Sequence, residues 1–588
     1  MQVKELALIG NCQASALVHR SGTIVWCCLP RFDSPPVFGA LLNEQNGGAF
    51  AIRPADGSNG VQSYITNTNV LTTTFTSREG SFRVVDFAPR FELYSRSFRP
   101  TKFIRIVEPL TGTPRIRVLC APVLGWTAQP PRTELGSHHI SYAGYDAELR
   151  LTTDAPLSYL KGEPFALTER KCFVLSWGSP VEEPLPALCD RFLKETVAYW
   201  QRWVKQCDIP PLYQDEVIRS ALALKLHCFE DTGAIVAATT TSIPESPGSG
   251  RTWDYRYCWL RDAYYTLNAF RLLGQFEERE QFLHFLLNVA SAAPDLNLPP
   301  LYRVDGSNDL DEQILPNWPG FQNEGPVRIG NQAASHRQND VFGEMILALS
   351  PLFLDARFKG AVTPSAVRLV SDLAEKAAAV AGQPDAGIWE FRSERKPQTF
   401  TALMCWAGLD RTATIAQHHT LRTRCDWAAT AAALRQRILA EATCPERHCL
   451  VAEFGGRTLD AALLQAVTLR FFPPGDPHQM GTVDTIRKEL DLSGFLKRYN
   501  APDDFGTPAV AFTLCSFWLV EALAHVNRLD EARLVMERLL LVSSPLGLLS
   551  EDLAPDTGAL WGNFPQAYSH AGVIHAAFAA APSWSEVL

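Results

Sequence analysis

The stretch FTLCSFWLVEALAHV, residues 512–526, is apolar on nearly every side and carries one formal charge, Glu521. A helix of this composition offers water no polar face, so we expect it to be buried nearly all round. The following segment, LDEARLVMERLLL at residues 529–541, starts with an acidic capping signal and mixes charged with apolar positions. That pattern is typical of an amphipathic helix with one exposed face. The two segments predict an inner helix followed by an outer helix.

The same contrast recurs earlier in the chain, between TFTALMCWAGLD from Thr399 and RCDWAATAAALRQRILAEA from Arg424. Nearly apolar helices that alternate with amphipathic ones predict an inner ring inside an outer ring, a closed toroid of helical hairpins. An open solenoid is the competing arrangement, but no fixed repeat of roughly 33 to 47 residues is visible. Long loops at one end of such a barrel are where we expect a functional site.

The first third of the chain has the period-2 pattern of β-strands. Residues 69–91 read as a hairpin with a turn at 78–80, and residues 102–123 repeat the pattern. Many short strands at regular spacing predict an antiparallel β-sandwich. Near residue 190 the period changes to that of an amphipathic helix. We therefore predict a multidomain α and β protein, with an N-terminal β-sandwich over 1–188, a linker helix over 189–210 and a helical barrel over 211–588.

Length and composition narrow the class of protein. A chain of 588 residues exceeds what one hydrophobic core usually supports. With 46% hydrophobic and 20% charged residues and a net charge of -9, nucleic acid and anionic membrane surfaces are poor candidates for the main partner. The start shows no secretory pattern, and no apolar run reaches the roughly 18 residues of a membrane span. We expect a cytoplasmic protein; whether it forms a homo-oligomer is left open.

The 14 cysteines are scattered along the chain. Without a secretory signal, we interpret them as reduced and mostly buried thiols. The segment CPERHC, residues 444–449, offers two sulfurs and His448, but a metal site there would need a fourth ligand that the local sequence does not supply. We predict no metal and no cofactor.

Two glutamates stand in loops rich in aromatic residues. Glu390 lies in GIWEFR, residues 387–392, and Glu551 in GLLSEDLAPDTGALWGNFPQAYSH, residues 547–570. Each could be a solvated surface charge. Alternatively, Trp389 could desolvate Glu390, raise its pKa and keep it protonated near neutral pH. Glycosidic hydrolysis needs one such acid and one carboxylate, and only a fold that closes on itself would bring these two together.

A third feature is TWDYRYCWLRDAYYTLNAF, residues 252–270, in which aromatic side chains surround Arg261 and Asp262. Sugars stack their apolar faces on aromatic rings and bind charged donors and acceptors through their hydroxyls. The alternative is an amphipathic helix start with an internal ion pair. Composition alone leaves both interpretations open.

The segments GSGRTWDYRYCWLRDA, GIWEFR with FTALMCWAGLDR behind it, and GLLSEDLAPDTGALWGNFPQAYSHAG together resemble the bacterial branch of glycoside hydrolase family 15, the glucoamylase and trehalase-like enzymes. The start, LIGNCQASALVHRSGTIVWCCLPRFDSPPVFGALL, is similar to the trehalase-like N-terminal β domain of that branch. The resemblance spans nearly the whole chain. It implies a β-sandwich followed by an (α/α)6 barrel, and an inverting, exo-acting α-glucoside hydrolase.

The resemblance also implies roles for individual residues. Glu390 matches the general acid and Glu551 the general base. Arg261 and Asp262 match the pair that holds the outer hydroxyls of the terminal glucose, and Tyr255 matches the tyrosine that faces the oxocarbenium-like centre. The other residues expected at the substrate are Trp259, Trp389 and Tyr568 and, from the loop that starts at Gly325, Gln338, Asp340 and His336.

One departure from the family pattern bears on the substrate. Starch-degrading members carry a second acidic residue directly after the acid, whereas this chain has Phe391 and then Arg392. We therefore expect a small α-glucoside, with trehalose first and isomaltose-like disaccharides next. The alternatives are an oligosaccharide glucohydrolase or glucoamylase, a phosphorylase or glucosyltransferase, and a non-catalytic carbohydrate-binding protein. Phosphorolysis would need a cluster of cationic or hydroxyl groups beside the base.

Overall fold

The computed structural model describes residues 1–421, 425–473 and 475–588. Its N-terminal part is built from antiparallel strands. They are β1 (Leu6–Gly10), β2 (Ser15–His19), β3 (Thr23–Cys28), β4 (Pro36–Phe38), β5 (Ala49–Pro54), β6 (Val61–Tyr64), β7 (Leu71–Ser77), β8 (Gly80–Phe87), β9 (Phe91–Leu93), β10 (Arg96–Phe98), β11 (Lys102–Gly112), β12 (Arg115–Ala121), β13 (Arg132–Leu135), β14 (His139–Ala143), β15 (Leu149–Thr153), β16 (Phe165–Ala166) and β17 (Lys171–Trp177).

Apart from β9 and β10, which pair with each other, these strands form two sheets that pack face to face. One sheet has the order β1-β2-β3-β5-β12-β16 with β4 on β3, and the other has the order β13-β14-β15-β17-β11-β8-β7-β6. Leu71 and Phe75 alternate inward along β7 and meet Phe50 and Ile52 of the facing sheet in one core. The buried pair Arg105–Asp86 also joins the sheets, because the Arg105 guanidinium donates to the Phe50 carbonyl of the facing sheet at 2.6 Å. The predicted β-sandwich is confirmed.

The main elements of the remaining chain are helices. They are α1 (Leu185–Lys205), α2 (Gln214–Lys225), α3 (Leu260–Leu272), α4 (Glu277–Ala292), α5 (Asp340–Leu354), α6 (Pro364–Val380), α7 (Thr399–Ile415), α8 (Trp427–Glu441), α9 (Gln465–Thr468), α10 (Pro477–Glu489), α11 (Thr513–His525), α12 (Leu529–Leu541), α13 (Ala567–Ala580) and α14 (Trp584–Val587). The segment predicted from Arg424 is helical from Trp427, and Arg424 itself lies outside the described residues. Within the described ranges, no helix combines the length and apolar character needed to cross a bilayer.

The helices α2 to α13 form two concentric rings. The inner ring is α3, α5, α7, α9, α11 and α13, and it closes because α13 packs against α3. The outer ring is α2, α4, α6, α8, α10 and α12. The helix α11 is buried from Thr513 to Leu523, whereas α12 buries one face and exposes Leu534 and Leu541. The nearly apolar segment therefore forms an inner helix and the amphipathic segment an outer helix, as predicted, and the (α/α)6 barrel is confirmed.

Glycines allow the inner helices α5 and α7 to lie very close together. A Cβ atom on Gly343 would stand 2.0 Å from the Met404 carbonyl oxygen, and one on Gly408 would stand 2.8 Å from the Gly343 Cα. No side chain fits at either position, so the two backbones pack directly against each other.

The cysteines in the described residues form no disulfide, and most of their side chains are buried. In the CPERHC segment, the Cys444 thiol donates to the Glu446 carboxylate at 3.1 Å. No group of three or more His, Cys, Asp or Glu side chains in the described part of the chain is arranged to hold a metal ion.

Candidate active site

The candidate site is a pocket at one end of the barrel, where the loops that precede the inner helices meet. Trp259 directly precedes α3, Gln338 precedes α5, Glu390 precedes α7 and Glu551 lies in the connection before α13. The β-sandwich supports this end of the barrel, since the Trp26 indole N–H donates to the Thr239 carbonyl at 2.8 Å. Most of the predicted site residues line this one pocket: Tyr255, Trp259, Arg261, Asp262, Trp389, Glu390, Glu551 and Tyr568.

The Glu390 carboxylate is held by three donors on a single oxygen. Its Oε1 accepts from Trp259 Nε1 at 2.7 Å, from Gln338 Nε2 at 3.0 Å and from Arg261 Nη2 at 3.2 Å. Burial by itself raises the pKa of Glu390, but the Arg261 charge and the hydrogen bonds from Gln338 and Trp259 outweigh burial and lower it below the ordinary value. This carboxyl group is therefore ionised near neutral pH.

This geometry corrects the expected role of Trp389. The Trp389 indole N–H donates to Asp460 Oδ2 at 2.9 Å, and its ring packs against Phe512 and Trp518. The indole that contacts the Glu390 carboxylate is that of Trp259, and it is a hydrogen-bond donor that favours the charged form. Trp389 lines the pocket, but the prediction that it keeps Glu390 protonated by desolvation is wrong.

Glu551 has the opposite environment. It is 2% exposed, and its Oε2 has no hydrogen-bond partner among the described residues. Burial and repulsion from Glu245 raise the pKa of Glu551 to about 8, against the opposing influence of Arg498 and of the Tyr255 hydroxyl. Near neutral pH this carboxyl group therefore holds a proton.

Glu551 occupies space that is free because residue 562 is a glycine. Gly562 has φ +73, and a Cβ atom there would lie 2.9 Å from Glu551 Oε2 and 2.8 Å from Glu551 Cβ. The left-handed backbone and the close approach both exclude an ordinary side chain. The strand pairing of Asp552 with Trp561 brings the Gly562 segment alongside Glu551.

The Arg261 guanidinium group donates hydrogen bonds to three other site residues. Its Nε donates to the Tyr568 hydroxyl at 2.7 Å and its Nη1 to Gln338 Oε1 at 2.6 Å, in addition to the contact with Glu390. The guanidinium group is thus paired with Glu390, and no ion pair with the adjacent Asp262 is found in the described structure. Burial raises the pKa of Asp262 to about 7, even though the Arg261 charge lowers it.

The loop that starts at Gly325 contributes in three different ways. Gln338 does not line the pocket, but it bridges Arg261 and Glu390. His336 lines the pocket, and neither ring nitrogen has a partner among the described residues. Asp340 is buried outside the pocket wall, and its carboxylate oxygens likewise have no described partner.

Comparisons with known proteins agree with this geometry. The model of glycosyl hydrolases family 15 matches residues 211–578, and the model of the trehalase-like N-terminal domain matches residues 1–156. The chain belongs to glycosyl hydrolases family 15. It is therefore a glycoside hydrolase, and the family predicted from the sequence motifs is confirmed.

Relatives of this family 15 hydrolase cover nearly its whole length. It is 33% identical to a trehalase of Thermoplasma volcanium, over 97% of this chain and 92% of that protein. It is 32% identical to a trehalase of Mycolicibacterium smegmatis, over 98% of this chain and 90% of that protein. Among solved structures, a bacterial glucoamylase complexed with acarbose has a TM-score of 0.65 at 14% identity and covers 98% of this chain and 94% of its own. That likeness shows the shared fold.

Several residues that line the pocket of this family 15 hydrolase were not predicted from the sequence. Glu245 accepts from Trp253 Nε1 at 2.9 Å and forms an ion pair with Arg498. Both charged side chains are nearly buried beside Glu551. The only sequence signals were a charged residue in a Pro/Gly/Ser-rich loop (IPESPGSG) and an Arg-Tyr pair before an Asp/Gly-rich loop (RYNAPDDFG). Neither signal says which loops meet in space.

Proposed function

We propose that this enzyme is an inverting, exo-acting α-glucosidase that releases β-glucose from trehalose. The observation that carries the proposal is the placement of the two carboxyl groups. Glu390 precedes α7 and Glu551 precedes α13, and these two helices stand opposite each other in the ring of six. Two carboxyl groups that reach one pocket from opposite sides fit a single displacement, in which a water molecule attacks one face of the sugar while the leaving group departs from the other.

Exposure supports the assignment of the two roles. The Glu390 side chain is 21% exposed, so it can reach a leaving group that departs toward solvent and can be reprotonated afterwards. Glu551 is buried, and its unpartnered oxygen is available to accept a proton from the attacking water. Glu390 then acts as the general acid and Glu551 as the general base.

The protonation of the two carboxyl groups must change for this reaction. The pair holds one proton near neutral pH, since the pKa of Glu551 is raised to about 8 and the pKa of Glu390 is lowered. Sugar hydroxyls that bind the Arg261 guanidinium reduce the influence that favours ionised Glu390. Positive charge that develops at the anomeric carbon favours ionised Glu551. Both effects move the proton from Glu551 toward Glu390, as the reaction requires.

Two findings support trehalose as the substrate. Relatives that are similar over nearly the whole chain are trehalases. In addition, Phe391 stands directly after Glu390, where the starch-degrading pattern has an acid, and both Phe391 and the following Arg392 line the pocket. Phosphorolysis is disfavoured because Arg498, the cation beside the base, is already paired with Glu245.

We also propose the domain organisation predicted from the sequence: a β-sandwich over 1–188, a linker helix over 189–210 and a catalytic barrel over 211–588. We further propose that the enzyme acts in the cytoplasm on a small sugar, and that it acts on neither nucleic acid nor membrane. The helix α1, at Leu185–Lys205, overlaps the proposed linker but begins four residues before it and ends five residues before its end. The family matches over 1–156 and 211–578 and the net charge of -9 support the proposal. Limited proteolysis with mass spectrometry would place the boundaries. Activity that sediments with membranes after cell fractionation would argue against the cytoplasmic assignment.

The decisive experiment is NMR of the first product from trehalose. Inversion converts the attacked ring to β-glucose while the departing ring keeps its α configuration, so we expect the two anomers in equal amounts before mutarotation. Release of α-glucose alone would refute inversion. A panel of maltose, isomaltose and trehalose, each with and without phosphate, tests the substrate and the hydrolytic class in the same assay.

A further inference from the structure

Three side chains form a stack at the outer wall of the pocket. The Arg392 guanidinium lies 4.8 Å from the Trp253 ring centroid and 5.2 Å from that of Phe505. The two rings meet edge to face at 5.1 Å. All three side chains line the pocket. Such a planar cation against two aromatic rings is a compact and well-packed barrier.

The stack is fixed from several loops. Arg392 Nη2 donates to Glu312 Oε2 at 2.9 Å. The Asp504 carboxylate accepts from the backbone N–H groups of Arg392 at 2.7 Å and Ser393 at 3.1 Å. Because these groups lie far apart in sequence and are joined by charge-assisted hydrogen bonds, the barrier has a defined position rather than being a loose loop.

The same loop region is also held on its other side. Arg251 forms an ion pair with Asp503 and donates to the Gly506 carbonyl at 2.8 Å. Its guanidinium lies 5.5 Å from the Phe505 ring centroid. The segment that carries Phe505 is therefore tied to two loops.

The stack lines the same pocket as the proposed general acid, Glu390. Arg392 is two residues after Glu390, so the barrier stands on the side of the pocket where the proposed general acid meets the leaving group. The free cavity measures about 90 Å³. That volume is below the roughly 300 Å³ at the lower end of ordinary ligand pockets, so the position of each fixed wall matters for what the leaving-group side can hold.

We propose that the Trp253–Arg392–Phe505 stack closes the leaving-group side of the pocket after one sugar ring and so restricts the enzyme to disaccharides. The inference rests on the proposed function and deepens it. The specificity lies in an outer wall, and the two carboxyl groups do not contribute to it. Removal of one aromatic ring from the stack opens the pocket to a leaving group of two rings.

The test compares trehalose with the trisaccharide that carries one extra α-1,4-linked glucose on the departing ring. We expect the unaltered enzyme to have a kcat/KM for the trisaccharide about 100-fold below that for trehalose. Phe505→Ala should raise the ratio of kcat/KM for the trisaccharide to kcat/KM for trehalose at least about tenfold. Phe505→Tyr should leave this ratio near the original value. Tyr159→Ala is the matched control, since Tyr159 is an exposed aromatic side chain of the β-sandwich that stacks on Phe165.

Equal kcat/KM for the two substrates in the unaltered enzyme would overturn the inference, and so would an unchanged ratio in Phe505→Ala. Failure of the proposed function looks different. If the enzyme cleaves another disaccharide and not trehalose, the trehalose assignment is lost. The ratio of kcat/KM for a homologue one ring longer to kcat/KM for that disaccharide then still decides whether the stack limits the length of the substrate.

Discussion

Replacement of Glu551 by Gln should abolish activity and at the same time stabilise the protein. The pKa of Glu551 is raised from an ordinary 4.5 to about 8 in the folded protein. A carboxyl group with a raised folded-state pKa contributes stability below its unfolded pKa and loses it as pH rises through the folded pKa. Near pH 8, ionisation of Glu551 therefore lowers the free energy of the unfolded chain. The free energy of unfolding is reduced as a result, because the buried pocket disfavours the ionised form in the folded protein.

The size of the effect follows from the shift. At about 1.4 kcal/mol per pKa unit, the shift sets an upper value of about 5 kcal/mol at pH 8 and about 1 kcal/mol at pH 5. Water that enters the pocket reduces the first figure, so we expect Glu551→Gln to be more stable by about 2 to 3 kcal/mol at pH 8. This corresponds to a rise in Tm of a few degrees at pH 8 and nearly none at pH 5.

Thermal unfolding of both proteins at pH 5, 6.5 and 8 measures this effect. Glu537→Gln, on the exposed face of α12, is the matched control and should change stability by less than about 0.5 kcal/mol at each pH. A Glu551→Gln protein that is less stable than the unaltered enzyme, or a Tm difference that does not grow with pH, would refute the reasoning. Either result would show that Glu551 is an ordinary structural carboxyl group.

Four other predictions concern the same pocket. Glu390→Gln should lower kcat by about 10² to 10⁴ with a smaller change in KM, as measured by steady-state glucose release; near-normal turnover would remove it as the acid. The pH profile of kcat/KM should fall above pH 8, where the pair loses its one proton, and below the ordinary Glu value, where it gains a second. Glu245→Gln should move the alkaline limb to lower pH, because the charge that raises the pKa of Glu551 is gone; an unmoved limb would contradict the coupling. Gly562→Ala should lose most activity, since a methyl group would displace Glu551, and a crystal structure with Glu551 unmoved would exclude this explanation.

The overall architecture could be predicted because it depends on composition averaged over whole helices. The contrast between residues 512–526 and 529–541 reports burial directly, and burial determines the ring in which a helix lies. The two carboxyl groups could also be located, since a Glu in an aromatic loop before an apolar helix is a local pattern. The grouping of site residues in one pocket then followed from the closed ring.

The contacts of the individual side chains could not be predicted. Glu390 adopts φ +61, a left-handed conformation that the neighbouring residues do not predict. This backbone conformation is found where Glu390 meets the indole of Trp259, which is far away in sequence, rather than that of the neighbouring Trp389. The pairing of Glu245 with Arg498 likewise depends on which loops meet across the barrel, and short-range periodicity carries no information on that.

The direction of the inner helices has an electrostatic consequence. Because the pocket lies where these helices begin, their N-terminal ends point toward it, and each carries a partial positive charge from its aligned peptide dipoles. The pocket also gathers an unusual number of carboxyl groups, among them Glu245, Asp262, Glu390, Asp503 and Glu551. The helix dipoles therefore add to the positive charge of the pocket arginines, Arg251, Arg261, Arg392 and Arg498, and both favour the ionised carboxylates of this cluster. A barrel of the same helices with its site at the opposite end would have to hold the same acids against a ring of partial negative charge.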